Sequence, residues 1–156
     1  MQESPYDGQM SALLPQEVGD IAEEARRLLL ELDPDMPGAS RVTADCRPAL
    51  DVLETADSIE VIVDVPGVPL ESMRVAVQRN TLLIVGAKRA GTADARAARY
   101  HLAERSYGCF ARAVGLSGAF DVGRARAVAA NGLLRVILPL VSERRGRAFM
   151  IPIARE

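Results

Sequence analysis

Apolar and polar residues alternate with a period of two along several stretches of this chain, which is the pattern of β-strands that bury one face. In residues 58–65 every second side chain is apolar, and we expect that face to meet a core. Residues 73–78 alternate in the same way, and a short strand is predicted over 49–55. Residues 81–85 are apolar on both faces, which predicts a central strand, and strand character returns over 100–116.

A β-hairpin is predicted around Asn131-Gly132, because this pair supplies the positive φ that a type I′ turn needs at both central positions. Alternation places small side chains on one face of the first arm and large ones on one face of the second: Ala125, Ala127 and Ala129, then Leu134, Val136 and Leu138. The small side chains leave a shallow trough that can accept bulky residues. Ile151 and Ile153, which flank Pro152, are two candidates.

An amphipathic helix is predicted over 15–32, with Pro15 in its first turn and Asp33-Pro34 at its end. Its apolar residues recur at spacings of three and four, namely Val18, Ile21, Ala25, Leu28, Leu29 and Leu32. This stripe must cover something. It either packs on a domain or a partner subunit, or forms a surface that opens to bind non-native chains.

The pattern as a whole predicts an all-β protein: about seven strands with turn signals at short intervals, arranged as an immunoglobulin-like antiparallel β-sandwich. We divide the chain into an N-terminal arm (1–45), the sandwich domain (46–141) and an extended C-terminal tail (142–156). Within the domain, residues 87–98 are small and charged without a core-forming pattern. Such a long excursion is typical of a functional loop or an interaction arm.

Composition narrows the possible partners and compartments. The 156 residues carry 19 Lys and Arg interleaved with 21 Asp and Glu, for a formal net charge of −2, so nucleic acid is not expected as a partner. The N-terminus lacks the plan of a signal peptide, and no apolar run approaches the roughly 18 residues of a transmembrane segment. We therefore expect a cytoplasmic protein, with Cys46 and Cys109 as plain thiols.

Catalytic signatures are missing from the sequence. His101 and Cys109 lack an orienting third group, the carboxylates form no convincing acid–base pair, and no phosphate-binding glycine loop is present. We expect neither an enzyme nor a cofactor or metal site.

Six segments in a fixed order resemble the small heat-shock protein family, whose core is the α-crystallin domain. They are RPALDVLETAD (47–57), DVPGV (64–68), LLIVGAKR (82–89), ERSYGCFAR (104–112), the A-x-x-x-N-G-L-L signature (127–134) and the terminal I-x-I motif (151–153). The resemblance covers about residues 46–153. Leu116-Ser117 stands where many relatives have Leu-Pro, and the arm lacks the Phe and Trp often found there.

The resemblance implies an ATP-independent holdase that binds unfolding proteins, forms dimers and assembles into larger homo-oligomers. In bacterial and plant members the long loop, here about 86–102, carries a strand exchanged between partners. A dimer interface would then include Tyr100, His101, Leu102 and Arg112. For Arg112, a paired charge at that interface competes with an arginine whose stem packs while its head stays wet.

The resemblance also implies that the tail residues Ile151, Pro152 and Ile153 bind a groove on a neighbouring subunit. That groove would be lined by Met73, Val75, Val77, Ala125, Ala127 and Ala129. The helix residues at 18–32 are candidates for client binding. The alternative function is a co-chaperone or adaptor sandwich that binds one folded partner and needs neither the isoleucine pair nor the long loop.

Overall fold

The computed structural model describes residues 15–32, 46–90 and 99–141. In these ranges one α-helix, α1 (Pro15–Leu32), precedes a set of β-strands. The strands are β1 (Leu50–Glu54), β2 (Ser58–Asp64), β3 (Met73–Gln78), β4 (Thr81–Lys88), β5 (Gly108–Gly115), β6 (Arg126–Ala130) and β7 (Leu133–Pro139). The helix and the strand count agree with the sequence pattern.

The strands form two antiparallel sheets that face each other across one core. The four-stranded sheet has the order β1-β2-β7-β6, and the three-stranded sheet has the order β3-β4-β5. Every second residue of β2 points inward, where Ile59, Val61 and Val63 meet Ile84 and Phe110 from the other sheet. This is the β-sandwich that the period-two alternation predicts.

Strand β4 is central, as its continuous apolar run predicts, and it is buried on both faces. Leu82 and Ile84 point into the sandwich core. Leu83 and Val85 point the other way and are equally buried, with 2% and 0% of their surface exposed. Something therefore covers the outer face of the three-stranded sheet.

The cover is α1. Ala25, Leu28 and Leu29 recur at helical spacing, are buried, and pack with Leu83 and Val85 in a second apolar cluster. Helices in proteins gain most of their stability from packing of an amphipathic face, so this packing supplies much of the stability of α1. Of the two uses that the sequence left open for the apolar stripe, the structure shows packing on the chain's own domain.

The hairpin between β6 and β7 forms as predicted. Asn131 and Gly132 have φ values of 53° and 77°, the left-handed region that a type I′ turn needs. Its turn is tied to the body of the sandwich, because the amide of Val65 donates to the carbonyl oxygen of Gly132 at 2.7 Å.

One strand prediction is wrong at its start. The predicted strand over 100–116 begins only at Gly108, and residues 99–107 are not in a strand. The reason is pairing: Lys88, the last residue of β4, lies opposite Gly108. Residues N-terminal to Gly108 lie beyond the end of β4, so this sheet offers them no strand with which to form backbone hydrogen bonds.

Candidate interaction surfaces

The two open sides of the sandwich are the first candidate sites. Edge strands β1 and β5 together line one side, where a cleft opens between the sheets. The remaining edge strands, β3 and β6, consequently lie along the opposite side. Edge strands leave backbone donors and acceptors unpaired, and both sides can therefore accept further chain.

Strands β3 and β6 carry five of the six residues predicted to form a tail-accepting groove, and the sixth, Ala125, directly precedes β6. Met73 is buried in the core, and Val75, Val77 and Ala125 are partly buried against that same core. We call the surface between these two edges, lined by Met73, Val75, Val77, Ala125, Ala127 and Ala129, the β3/β6 groove. The isoleucines proposed to fill it, Ile151 and Ile153, lie outside the described residues.

Small side chains keep the β6 wall of the groove shallow. Ala127 lies opposite Val136, and Ala129 lies opposite Leu134, so the two alanines share the core-facing side of their sheet. Val136 and Leu134 are each only 2% exposed, whereas both alanines are exposed. A methyl group does not reach across to the other sheet, and space for a larger apolar side chain remains.

On the opposite side, the β1/β5 cleft combines apolar walls with two positive charges. It has a volume of about 480 Å³ and is lined by Arg47, Leu50, Val52 and residues 111–115. The guanidinium of Arg112 donates a hydrogen bond to the carbonyl oxygen of Pro48. This bond holds the side chain across the cleft between the strand that carries it and the segment that leads into β1.

Charge in this cleft is not neutralised by the part of the chain that the structure describes. No described carboxylate lies within ion-pair distance of Arg47 or Arg112. Burial, and then the positive charge of Arg47, lower the pKa of Arg112 below its usual value. The cleft therefore makes the positive charge of Arg112 less favourable than it would be in water. A carboxylate brought by another chain would be stabilised beside it.

The other residues predicted for the dimer interface are accessible. Tyr100 is 66% exposed, Leu102 is 74% exposed, and His101 between them is also exposed. Tyr100 and Leu102 therefore place two large apolar side chains on one exposed segment. The structure does not bring them into the cleft with Arg112.

The client-binding candidates are on α1, and most of them face the sheet. Leu28 and Leu29 are 8% and 3% exposed, Ala25 is buried, and Ile21 and Leu32 are partly buried. The side chain of Val18 lies outside the described residues. While α1 is packed in this way, Ala25, Leu28 and Leu29 are inaccessible to any other chain.

Two features of these surfaces were not predicted. Arg47 lies beside Arg112 in the cleft. The two residues are 65 positions apart in the sequence, and no local sequence pattern indicates that they meet. The apolar outer face of the three-stranded sheet also went unassigned, although residues 81–85, apolar at every position, carried the signal that both faces of β4 need a cover.

No catalytic or metal centre is assembled in the described ranges. They hold no group of three or more His, Cys, Asp or Glu side chains placed to bind a metal ion. Cys109 is buried beneath α1, Cys46 is buried in the sandwich core, and His101 is on the surface. None of the described helices has the length and apolar character to cross a membrane.

Comparisons with known proteins agree with this architecture. A model of the Hsp20/alpha crystallin family matches residues 51–153. An 18.9 kDa heat shock protein of Oryza sativa is 33% identical over 67% of this chain and 59% of its own length, so the chain spans less than two thirds of that relative. A 21.9 kDa heat shock protein from the same plant is 35% identical over 88% of this chain and 74% of its own length.

Among solved structures, heat shock protein 16.0 of Schizosaccharomyces pombe superposes with a TM-score of 0.60 and 29% identity, covering 71% of this chain and 99% of that one. The residues matched by the family model, 51–153, span the strands of the sandwich from β1 to β7. The chain therefore belongs to the Hsp20/alpha crystallin family of small heat shock proteins.

Proposed function

We propose that this chain is the subunit of an ATP-independent cytoplasmic chaperone, a holdase that binds unfolding proteins and prevents their aggregation. Membership of the small heat shock proteins supports a chaperone role. The observation that carries the proposal is the sandwich itself, which is open on both sides, at the β3/β6 groove and at the β1/β5 cleft. Two open sides suit a subunit that assembles with copies of itself.

The β3/β6 groove is the proposed link between dimers, filled by Ile151 and Ile153 of a neighbouring subunit. Burying two isoleucines contributes at most about 3–6 kcal/mol. Immobilising the tail offsets part of this, and a net of about 4 kcal/mol corresponds to a dissociation constant near 1 mM. One tail alone is thus a weak link. Several tails in one oligomer hold it together through effective concentration while each still dissociates on its own.

The β1/β5 cleft is the proposed dimer interface, completed by the loop that contains Tyr100, His101 and Leu102. The exposed apolar side chains of this loop would be covered by a partner subunit, and a partner's carboxylate would neutralise the cleft. Arg112 is then a paired charge in the dimer. This assignment makes the arm (1–45), the domain (46–141) and the tail (142–156) separate contributors to client binding, dimerisation and oligomer linkage.

The test is light scattering from citrate synthase heated with and without this chain, at comparable subunit concentrations and without nucleotide. We expect scattering to fall as the ratio of chain to citrate synthase rises, and added ATP to change nothing. An equal mass of serum albumin is the control for crowding. Unchanged scattering over a wide range of ratios and temperatures would sink the holdase proposal and favour an adaptor that binds one folded partner.

A further inference from the structure

We propose a second client-binding site on this chain: the outer face of the three-stranded sheet, which α1 now covers, binds apolar segments of unfolding proteins when α1 leaves it. The inference rests on the proposed chaperone function and extends it from the helix to the surface beneath. We call this surface the outer sheet face and define it by residues that α1 packs against or borders: Leu83, Val85, Ala87, Cys109, Ala76 and Ala111.

The outer sheet face has a shape suited to an apolar segment. Strand register sets Leu83 between Ala76 of β3 and Ala113 of β5, while Val85 lies beside Ala111. The large side chains therefore form a central ridge on β4, flanked by small side chains along β5 and at Ala76. On the β3 side Val85 lies beside Arg74, whose guanidinium donates to the carbonyl oxygens of Glu71 and Met73. An incoming apolar segment can therefore approach β5 and Ala76 closely without displacing side chains.

Helix α1 shows what chemistry fits this surface. It presents Ala25, Leu28 and Leu29 at i, i+3 and i+4, a pattern common to amphipathic segments of most globular proteins. Nothing in the contact demands the sequence of α1 itself. An unfolding protein that exposes a similar stripe offers the same apolar groups to Leu83 and Val85.

The polar contacts at the margin of α1 hold it weakly. Asp20 pairs with Arg79 at 3.4 Å, but both side chains are more than half exposed, and ion pairs of this kind contribute little. Beside the helix, Gln78 Oε1 is buried and has no hydrogen-bond partner among the described residues. Departure of α1 would return this acceptor to water, which favours an open state.

The covalent connection permits α1 to leave while the sandwich stays folded. Residues 33–45 separate Leu32 from Cys46, and an extended chain covers about 3.3–3.6 Å per residue, or roughly 45 Å in all. Client and helix thus compete for one surface, and the helix acts as its displaceable cover.

The two cysteines provide a built-in test. Cys109 is on the outer sheet face beneath α1, whereas Cys46 is in the core between the sheets. A Cys46→Ala variant reports opening of the outer face through alkylation of Cys109 by N-ethylmaleimide. A Cys109→Ala variant reports opening of the sandwich through Cys46 in the same assay.

Neighbouring leucines on α1 provide a matched pair of substitutions. Leu29 is 3% exposed and packs on the sheet, while Leu30 is 41% exposed. In the Cys46→Ala background we expect Leu29→Ser to raise the Cys109 alkylation rate about tenfold or more, and Leu30→Ser to change it little. Cys46 in the Cys109→Ala background should keep its slow rate with Leu29→Ser, showing that the sandwich remains closed.

The decisive step adds reduced, carboxymethylated α-lactalbumin, which stays unfolded and has no reactive thiol. Bound to the Cys46→Ala, Leu29→Ser variant, it should slow alkylation of Cys109 back towards the rate seen with α1 in place, and native α-lactalbumin should not. Binding that leaves Cys109 alkylation fast would overturn the inference while the chaperone function stands. Protection of Cys109 that needs no client and grows with chain concentration would also overturn it, since another copy's helix would then occupy the face. Absence of any binding would refute the chaperone proposal as well.

Discussion

Gly86 of β4 lies opposite Phe110 of β5, and the aromatic ring occupies the space where any other residue would have a side chain. A Cβ at Gly86 would lie 2.4 Å from Cζ and 2.8 Å from Cε1 of that ring. Phe110 is 1% exposed and cannot swing out to water. The ring of Phe110 thus packs directly against the backbone of the central strand, β4.

We predict that Gly86→Ala destabilises the domain by about 1–3 kcal/mol, since the added methyl overpacks a filled core. Urea unfolding at a fixed chain concentration measures the change. Gly19→Ala is the matched control. Apart from its chain neighbours and its own helix backbone, no described atom lies within 4 Å of the added Cβ, and alanine favours the helix. Adding Phe110→Leu to Gly86→Ala should recover part of the loss, and a domain unaffected by Gly86→Ala would contradict this packing.

Arg112 is the second residue whose surroundings matter. Its pKa is lowered by burial and by Arg47, so the cleft carries a cost for holding its charge in the isolated subunit. We predict that Arg112→Met changes the stability of the domain little, as relief of that cost offsets the lost hydrogen bond to Pro48.

The same substitution should weaken the dimer about tenfold or more, because a partner's carboxylate would lose its counter-charge. Sedimentation equilibrium with the tail isoleucines replaced measures the dimer alone. Arg135→Met serves as the control. It removes a similar charge, which pairs with Glu60 at 3.7 Å, from β7, a strand that does not border the cleft. Equal dimer affinity for Arg112→Met and the unmodified chain would remove Arg112 from the interface.

At the scale of elements, strand β6 presents different chemistry on its two faces. Ala127 is on the core-facing side that lines the β3/β6 groove, and Val128 is on the outward side opposite Arg135. Both positions are exposed, so both tolerate larger side chains without strain in the core.

We predict that Ala127→Leu fills the groove and reduces the average oligomer size, while Val128→Leu leaves it unchanged. Size-exclusion chromatography with multi-angle light scattering measures the mass at matched concentrations. The two variants add apolar bulk to the same strand, and a difference between them therefore reports the groove. Identical masses would argue that no tail binds there.

Helix α1 is the other element whose placement has consequences. Full burial of Leu28 and Leu29 contributes about 3–6 kcal/mol before the cost of ordering the helix is subtracted. That gross free energy is small beside the free energy contributed by the many buried side chains of the sandwich core. We therefore expect α1 to separate from the sheet before the two sheets unfold, because it is held by fewer buried contacts than they are.

For the whole molecule, the proposed function makes assembly depend on the tail (142–156). We predict that Ile151→Gly together with Ile153→Gly reduces large oligomers towards dimers, because each link loses its apolar contact while the dimer interface stays intact. Light scattering over a range of concentrations measures the mass. Ala154→Gly, next to the motif, is the control, and oligomers of unchanged mass in the double variant would contradict the role of the tail.

Sequence alone determined the local features of this protein. The hairpin follows from Asn131 and Gly132, whose backbone preference acts within four residues, and α1 follows from the spacing of its leucines. The alternation in β2 and the doubly apolar run in β4 follow from strand geometry, in which successive side chains point to opposite faces. The number of strands and their short turns predicted the sandwich, and the order of family motifs agreed with it.

Tertiary structure decided what depends on residues distant in sequence. Packing of α1 on the outer sheet face, the meeting of Arg47 with Arg112, and the need for glycine at position 86 all join segments that no local pattern pairs. The late start of β5 has the same origin, because a strand needs a neighbour and β4 ends opposite Gly108. Periodicity in the sequence shows which face of a strand is buried. Which surface covers that face depends on the packing of distant segments in the folded chain.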